Sequence, residues 1–169
     1  MELCQLNKLY VHSLVQYNKV LLQRNKLLKE LFFRPEYEET LDVWDMQLVN
    51  YGREVIKFRR EFIKQLNEII HAIHLSLTGA GRTYPFPMNP YTREDQMEDI
   101  LKKNRAQDMK QKTTLSGPHR DDISFIVNGI DIRRFGSQGQ QRTAALSLKL
   151  SELQLVKQLS HDESNPAFG

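Results

Sequence analysis

The sequence of 169 residues contains one cysteine, Cys4, and therefore cannot form an internal disulfide. Such cysteine usage is typical of proteins that work in a reducing compartment. No apolar run reaches the roughly 18 residues that a membrane-spanning helix requires, and Met1 is not followed by a basic-then-apolar secretory leader. Together these absences predict a cytoplasmic protein without a membrane partner.

Two sequence elements of a nucleotide-hydrolysing centre are missing as well. A P-loop has the pattern Gly-x-x-x-x-Gly-Lys-Ser/Thr, whose backbone amides cradle phosphates, and no such run occurs in the sequence. A Walker B element would need an apolar strand that ends in aspartate, but the sequence after Leu159 is mainly polar until it stops at Gly169. We therefore predict no catalytic residue, and no ATPase activity for this chain alone.

A metal site is not predicted either. Asp121 and Asp122 follow His119, and both aspartate and histidine can ligate metals. Adjacent residues of a strand point to opposite faces, so the two carboxylates are expected to diverge.

The basic residues allow a nucleic-acid interface without establishing one. A formal net charge of +3 is small, although it permits local basic patches. A solvated helix face is the alternative interpretation of such a patch. As possible DNA contacts we identify five basic residues in and just after one predicted helix: Lys102, Lys103, Arg105, Lys110 and Lys112.

Residues 1–80 are predicted to form an arm of two long helices packed as an antiparallel hairpin. Alternating spacings of three and four between apolar residues indicate a narrow helix–helix seam. Pro35 marks the break, Glu36, Glu38 and Glu39 suit the first turn of the second helix, and that helix should extend to about Leu77. The predicted seam comprises Tyr10, Leu14, Tyr17, Leu21, Leu28 and Leu31, interrupted at Arg24, and then Leu41, Trp44, Leu48, Tyr51, Val55, Phe58, Phe62 and Ile69, interrupted at Gln65.

Residues 81–112 are expected to link the arm to the remainder of the chain. Three prolines favour a loop or a short edge strand, and Thr92 suits the N-cap of a basic helix that ends near Gln111.

In residues 113–169, Asn128-Gly129 between alternating segments predicts a type I′ β-hairpin. The alternating residues are Ile123, Phe125 and Val127 on one side and Ile130 and Ile132 on the other. These elements predict an α+β fold.

The segment from Phe135 to Thr143 has the composition of an anion-binding loop. Its order is Phe-Gly-Ser-Gln-Gly-Gln-Gln-Arg-Thr, and an apolar helix from Ala144 to Leu159 is expected to follow. Ser137 supplies a hydroxyl, and Gly136 and Gly139 allow positive φ and close backbone approach. The free N–H groups and the positive dipole end of the helix would face this loop, and phosphate is the usual anion at such a site.

Several motifs resemble those of the RecF family, the bacterial recombination and repair ATPases of the ABC type. The order Ser-x-Gly-Gln at 137–140 resembles the ABC signature motif, and the run from Phe135 to Leu150 resembles the signature helix of RecF proteins. Gly117-Pro118-His119-Arg120-Asp121-Asp122 resembles a second family motif. Residues 15–21 and 41–45 resemble the helical arm of the same family. The resemblance covers essentially all 169 residues, and it implies an internal portion of a longer protein.

The resemblance implies a specific role for each motif. Residues 113–169 would be part of an ABC-type ATPase head, and the protein would bind ATP, with Mg²⁺ in the complete protein. Four signature residues would bind ATP held by a second subunit of a homodimer: Ser137, Gln138, Gly139 and Gln140. Of these, Ser137 and Gly139 would hold the γ-phosphate, backed by the helix dipole at Gln140. Four others would support the loop or contact phosphate: His119, Arg120, Gln141 and Arg142. This chain alone is not expected to hold ATP tightly.

The resemblance further implies a role in DNA repair, recombination and replication, including the SOS response. The expected partners are single- and double-stranded DNA and the RecR and RecO mediators. The competing hypothesis is a non-enzymatic helical scaffold or interaction module, in which Ser137 to Gln140 only cap a helix.

Overall fold

The computed structural model describes residues 8–78, 88–89, 94–123, 126–127 and 129–163. These residues divide into two compact units. The arm unit contains residues 8–59 and 94–121, and the signature unit contains residues 60–78, 88–89, 122–123, 126–127 and 129–163. None of the helices in these ranges is both long enough and apolar enough to cross a membrane.

The arm unit begins with helix α1 (Lys8–Glu30), a 3-10 helix (Pro35–Thr40) and helix α2 (Leu41–Thr78), of which residues up to Arg59 belong to this unit. Pro35 is the first residue of the 3-10 helix, where its missing N–H costs nothing. The three glutamates predicted for the first turn of α2 lie in this 3-10 helix instead. The predicted second helix therefore starts later, at Leu41, and ends where expected.

Within the arm unit, α1 and the first part of α2 form the predicted antiparallel hairpin. Tyr10 near the start of α1 meets Phe58, with ring centroids 6.0 Å apart, while Leu31 packs with Leu41 at the other end. The buried face of α1 follows an uninterrupted heptad stripe. The stripe comprises Tyr10, Ser13, Tyr17, Val20, Arg24 and Leu27, and it continues to Leu31 just after the helix; Leu28 beside it is also buried.

Of the predicted seam residues in the first helix, Tyr10, Tyr17 and Leu28 are buried, as is Leu31 just after the helix. Leu14 and Leu21 are only half-buried, and Arg24 continues the stripe that it was expected to interrupt. On α2 the predicted residues Leu41, Leu48, Val55 and Phe62 are buried. Four other predicted apolar residues of α2 lie at the margin and are half-buried: Trp44, Tyr51, Phe58 and Ile69.

Helix α3 (Met97–Gln111) completes the helices of the arm unit and ends where predicted. Met97 and Leu101 are almost completely buried, and Met97 occupies the space beside Gly52 of α2. The first turn carries Glu98 and Asp99, so the helix starts later than expected, and Thr92 lies outside the described residues. The unit ends with a short 3-10 helix (Pro118–Arg120).

The signature unit contains two small antiparallel sheets. Strand β1 (Met88–Asn89) pairs with β2 (Asp122–Ile123), and β3 (Ile126–Val127) pairs with β4 (Ile130–Asp131). The β3–β4 register leaves two residues between the strands, and Gly129 has a φ of +79°. The predicted hairpin is thus confirmed around Val127 and Ile130, and the fold is α+β. Ile123, which was expected in the same hairpin, pairs with Met88 of β1 instead, and Phe125 lies outside the described residues.

The hairpin is shorter than predicted because Asp131 ends it. Its side chain accepts a hydrogen bond from the Arg133 N–H at 3.1 Å and caps helix α4 (Ile132–Phe135), so Ile132 is helical instead of extended. Helix α5 (Gln138–Glu163) follows. It begins six residues before the predicted Ala144, so most of the expected loop forms its first turns.

Candidate functional site

Ser137 is the N-cap of α5 and forms a reciprocal capping box with Gln140. The Gln140 N–H donates to Ser137 Oγ at 3.3 Å, and the Ser137 N–H donates to Gln140 Oε1 at 2.8 Å. This arrangement satisfies two backbone donors that a helix end otherwise leaves open. Both side chains are exposed. The capping box explains why α5 starts here.

Three hydrogen-bond donors remain at this end of α5. The first amide that bonds within the helix is that of Gln141, which donates to the Ser137 carbonyl at 2.9 Å. The amides of Gln138 and Gly139 have no acceptor in the part of the chain that the structure describes, nor does the Ser137 hydroxyl proton. A hydroxyl can accept one hydrogen bond and still donate another. The exposed end of α5 can therefore offer three donors to an anion.

The two glycines of this segment have different functions, and neither has a positive φ. The freedom to adopt positive φ is therefore not used at either position, whereas the close backbone approach is found at Gly136. Gly136 has a φ of −74°, and a side chain there would lie 2.5 Å from the Ile132 carbonyl oxygen, so only glycine permits this close approach. At Gly139, which is helical, an added Cβ would meet only Ser137 Oγ at 3.9 Å. Nothing described in the chain itself requires glycine at position 139.

Gln141 fixes the turn that precedes α5. Its side-chain amide donates to the Gly136 carbonyl at 3.1 Å and to the Arg133 carbonyl at 3.5 Å. Arg142 is exposed and has no ion pair with any described residue. Gln141 therefore supports the loop, while Arg142 is available to a ligand or a partner.

His119 holds the turn after α3 against α1. Its Nδ1 lies 2.7 Å from the Tyr17 hydroxyl and its Nε2 lies 3.1 Å from the Thr114 carbonyl, so the neutral Nε2–H tautomer satisfies both contacts. Burial lowers the pKa of His119 and raises that of Tyr17. Gly117 has a φ of +135°, and a side chain there would collide with the Tyr17 hydroxyl.

Arg120 reaches the same Thr114 carbonyl as His119, from the surface. It is exposed, and its Nη2 donates to the Thr114 carbonyl at 3.4 Å. Arg59, from α2, supports the same turn by donating to the Pro118 carbonyl at 2.5 Å. Of the two predicted residues, His119 is thus part of the packing, and Arg120 keeps donor groups at the surface.

Arg24 is an interior residue that the sequence pattern did not identify. Its guanidinium is fully buried; Nε donates to Asp45 at 2.6 Å, and Nη1 donates to Asp108 and to Thr114, each at 2.7 Å. Asn25 accepts from the backbone and the hydroxyl of Thr114. The only sequence signal was the position of Arg24 on the heptad stripe that contains Tyr10 and Leu31.

The five predicted DNA contacts are in different environments. Arg105 donates to Asp42 at 2.6 Å, Lys102 donates to Glu98 at 2.8 Å, and the Lys112 ammonium lies 4.2 Å from the Phe32 ring centroid. The hydrogen bond between Lys102 and Glu98 raises the pKa of the lysine and lowers that of the glutamate. The two other cations, Lys103 and Lys110, are exposed and have no ion pair with the described residues.

The structure does not bring the two predicted sets of site residues into one unit. His119 and Arg120 belong to the arm unit, together with the five basic residues of α3 and its C-terminal end. The residues from Ser137 to Arg142 belong to the signature unit. Within its own unit, each set is held by the contacts described above.

No family model matches the sequence. The chain is 55% identical over 157 residues to the DNA replication and repair protein RecF of Agathobacter rectalis, covering 93% of this chain and 43% of the relative. It is 51% identical over 163 residues to RecF of Lachnoclostridium phytofermentans, covering 96% of this chain and 45% of the relative. The chain therefore spans a little under half the length of the curated relatives that it matches.

Two solved structures have the same fold. They are the recombination mediator protein RecF of the RecFOR pathway, with ATP and with ATPrS, and both are 32% identical to this chain. The TM-scores are 0.85 and 0.86, and each match covers 92% of this chain and 44% of the other. Identity above one half along more than nine-tenths of the sequence, together with a matching fold, shows that this chain belongs to the RecF family.

Proposed function

We propose that this chain supplies the arm and the signature surface of a RecF-like DNA repair and recombination protein, in which ATP joins two subunits. The observation that carries the proposal is the exposed start of α5. Three donors of Ser137, Gln138 and Gly139 are available there, and the space above Gly139 is open. These groups suit the γ-phosphate of a nucleotide that the other subunit holds.

The chemistry at this surface is recognition of charge. The Ser137 hydroxyl and the amides of Gln138 and Gly139 donate to phosphate oxygens, and the dipole of α5 favours the negative charge. The side chain of Gln140 holds Ser137 in place, and Gln141 holds the preceding turn. Mg²⁺ would accompany the ATP on the opposite subunit, and no residue of this surface is proposed to ligate it.

The glycine at position 139 supports the same proposal. Within an α-helix, glycine is less favourable than alanine by up to about 1 kcal/mol. Because an added Cβ would contact little of the described chain, the packing of this unit does not account for the glycine. A phosphate that approaches the backbone closely would require it.

The arm unit is proposed to contact DNA through a subset of the predicted cations. Lys103 and Lys110 are exposed and unpaired in the described part of the chain, so they can bind phosphates without breaking an ion pair. Arg105, in contrast, bridges α3 to Asp42 and Asp45 of α2.

We propose single- and double-stranded DNA as ligands of the protein and RecO and RecR as its partners. We further propose that it acts in the bacterial cytoplasm and in the SOS response.

A helix cap alone is the second candidate function for Ser137, and the capping box with Gln140 is the observation that favours it. In that case the chain is an interaction module without a nucleotide role. Both hypotheses predict that Ser137→Ala destabilises the protein by about 1 kcal/mol, because the cap is lost. Dimerisation distinguishes the two hypotheses.

The decisive experiment uses a full-length RecF protein that carries this sequence. Ser137→Arg should leave ATP binding by the single subunit nearly intact and abolish ATP-dependent dimerisation, because it adds bulk and charge at the subunit surface. Ser137→Ala should weaken dimerisation roughly ten- to a hundredfold, since one charge-assisted hydrogen bond contributes about 1.5–3 kcal/mol. Sedimentation with and without ATP measures both effects. Unchanged dimerisation of both variants at saturating ATP would leave only the helix-cap function.

A further inference from the structure

We infer that His74 of α2 is a positioning residue for the Ser137 surface, which it holds in place through a buried hydrogen bond to Ser147 of α5. The inference rests on the proposed function and adds the contact that places its donors. His74 Nδ1 lies 2.9 Å from Ser147 Oγ, and both residues belong to the signature unit. Ser147 is completely buried, and only 5% of the His74 surface is exposed.

The Ser147 hydroxyl fixes the direction of this hydrogen bond. It donates its single proton to the Thr143 carbonyl at 2.9 Å, so its oxygen accepts from the Nδ1–H of His74. A buried donor that loses its acceptor costs free energy. His74 therefore favours the arrangement of α2 and α5 in which the Ser147 hydroxyl lies opposite its ring.

Ser147 is connected to the start of α5 along one face of the helix. Ser147 bonds to the Thr143 carbonyl, and the Thr143 hydroxyl donates to the Gly139 carbonyl at 3.0 Å. Residues at this spacing lie one above the other on a helix. With a rise of 1.5 Å per residue, Gly139 lies about 12 Å along α5 from Ser147. A shift of α5 at Ser147 therefore moves the donors of Ser137 and Gly139 by a similar distance.

His74 is the only buried polar residue among residues 60–78 of α2, all of which the structure describes. The other buried residues of this range are Phe62, Ile63, Leu66 and Ile70. Apolar burial is not directional and permits more than one arrangement of two helices. A polar pair in apolar surroundings selects one arrangement, as a buried asparagine selects the register of a coiled coil. The hydrogen bond of His74 to Ser147 thus sets the position of α5.

The first test replaces both members of the pair by apolar residues in a full-length RecF protein that carries this sequence. Replacing both partners of a buried hydrogen bond is nearly neutral for stability when the shapes are similar. We therefore expect His74→Leu/Ser147→Ala to keep the melting temperature close to that of wild type. ATP-dependent dimerisation, measured by sedimentation, should weaken by about tenfold or more, because its donors are misplaced.

Ser151→Ala is the matched control for this double variant. Ser151 is also completely buried and lies one turn after Ser147, but its hydroxyl donates within α5, to the Ser147 carbonyl at 2.7 Å. The control removes a buried hydroxyl from the same face without removing the bond to His74. It should dimerise like wild type.

Spin labels at two exposed positions measure the position of α5 directly. The labels are attached to Ala72→Cys on α2 and Gln154→Cys on α5, and the other cysteines are replaced by serine. With His74 and Ser147 present, the distance between the labels should have one narrow distribution. That distribution should broaden or shift in the double variant and stay narrow in Ser151→Ala.

Two polar substitutions of His74 keep the test decisive if the double variant is less stable than expected. The side-chain amide of His74→Asn lies close to the former position of Nδ1 and can still donate to Ser147. The amide of His74→Gln lies further out, near the former position of Nε2. His74→Asn should therefore dimerise more tightly than His74→Gln and keep the narrow label distance.

The positioning role is overturned if a double variant of unchanged melting temperature dimerises like wild type. Equal dimerisation of His74→Asn and His74→Gln, or a loss in Ser151→Ala as large as in the double variant, would also overturn it. If Ser137→Arg abolishes dimerisation while the double variant does not weaken it, only the positioning inference is wrong. If Ser137→Arg has no effect, the proposed function is wrong, and the label distances alone then test whether His74 holds α5.

Discussion

Arg24 donates from Nη1 to Asp108 Oδ2 at 2.7 Å, and both side chains are fully buried in the arm unit. The same guanidinium donates to Asp45 and Thr114, so one cation connects α1, α2, α3 and the segment after α3. A buried ion pair need not increase stability over an apolar core. Removing one partner is nevertheless costly, because the remaining charges lose their compensation.

Arg24→Met is therefore expected to destabilise the arm unit by about 3–5 kcal/mol, since it leaves Asp108 and Asp45 without their cation. The free energy of unfolding, from urea titration followed by circular dichroism, measures the loss. Lys26→Met is the matched control: Lys26 is 72% exposed and lies 3.9 Å from Glu30, so its loss should cost less than about 1 kcal/mol. A similar small effect for both variants would contradict the role of Arg24.

Gly117→Ala should also destabilise the arm unit. Its φ of +135° is accessible almost only to glycine, and the added Cβ would lie 2.5 Å from the Tyr17 hydroxyl. We expect a cost of at least about 1–3 kcal/mol in the free energy of unfolding. Gly129→Asn is the comparison, because φ is +79° there, asparagine tolerates that region, and nothing lies within 4 Å. The prediction fails if the two substitutions cost the same.

Stability should fall as the pH drops below about 6.5, the ordinary pKa of histidine. Burial lowers the pKa of His119 and of His74 in the folded chain, so the unfolded chain binds more protons in this range. The stabilisation is fully present above about pH 6.5 and is lost as the pH falls through the lowered pKa values. Urea titrations at several pH values between 7.5 and 5 measure the slope.

His119→Gln should flatten this pH dependence for the arm unit, because a glutamine does not titrate. The reference is the slope of the unsubstituted chain, measured in the same way over the same pH range. An equally steep slope in His119→Gln would show that other groups cause the pH dependence.

Gly139→Ala should have opposite effects on the stability of the fold and on ATP-dependent dimerisation. In the isolated chain it is expected to raise the free energy of unfolding by up to about 1 kcal/mol, because alanine favours the helix and the added Cβ meets only Ser137 Oγ, at 3.9 Å. In the full-length protein it should weaken ATP-dependent dimerisation, since the methyl group occupies the space proposed for phosphate. Thermal unfolding and sedimentation give the two results. Higher stability with undiminished dimerisation would argue against a phosphate at Gly139.

Local patterns in the sequence were sufficient for much of the fold. The helical periodicity and Pro35 predicted the hairpin of α1 and α2, and Asn128-Gly129 predicted the β3–β4 hairpin. The small residues around Ser137 correctly marked the start of a helix, although α5 begins earlier than Ala144. These features depend on backbone preferences within a few residues, and such preferences can be predicted from a sequence.

The role of individual polar residues required the tertiary structure. Arg24 and Asp108 are 84 positions apart, and no local pattern reveals that each compensates the charge of the other. The same holds for His119, which bonds with Tyr17 of α1, and for Arg105, which pairs with Asp42. The hydrophobic periodicity of α1 marked Arg24 as a break in the apolar seam, because a periodicity argument considers only the polarity of each residue. It takes no account of the residues with which a polar side chain pairs.

The sequence by itself determined the long helices, the β3–β4 hairpin, the signature run at Ser137 and the family to which that run points. Only the tertiary structure decided which cations form ion pairs within the chain and why position 136 requires glycine. It also showed that Phe135 is exposed beside Ser137. The physical reason is that burial and ion pairing are properties of neighbours in space. The neighbours of a side chain often come from distant positions in the sequence. They are therefore defined only once the chain has folded.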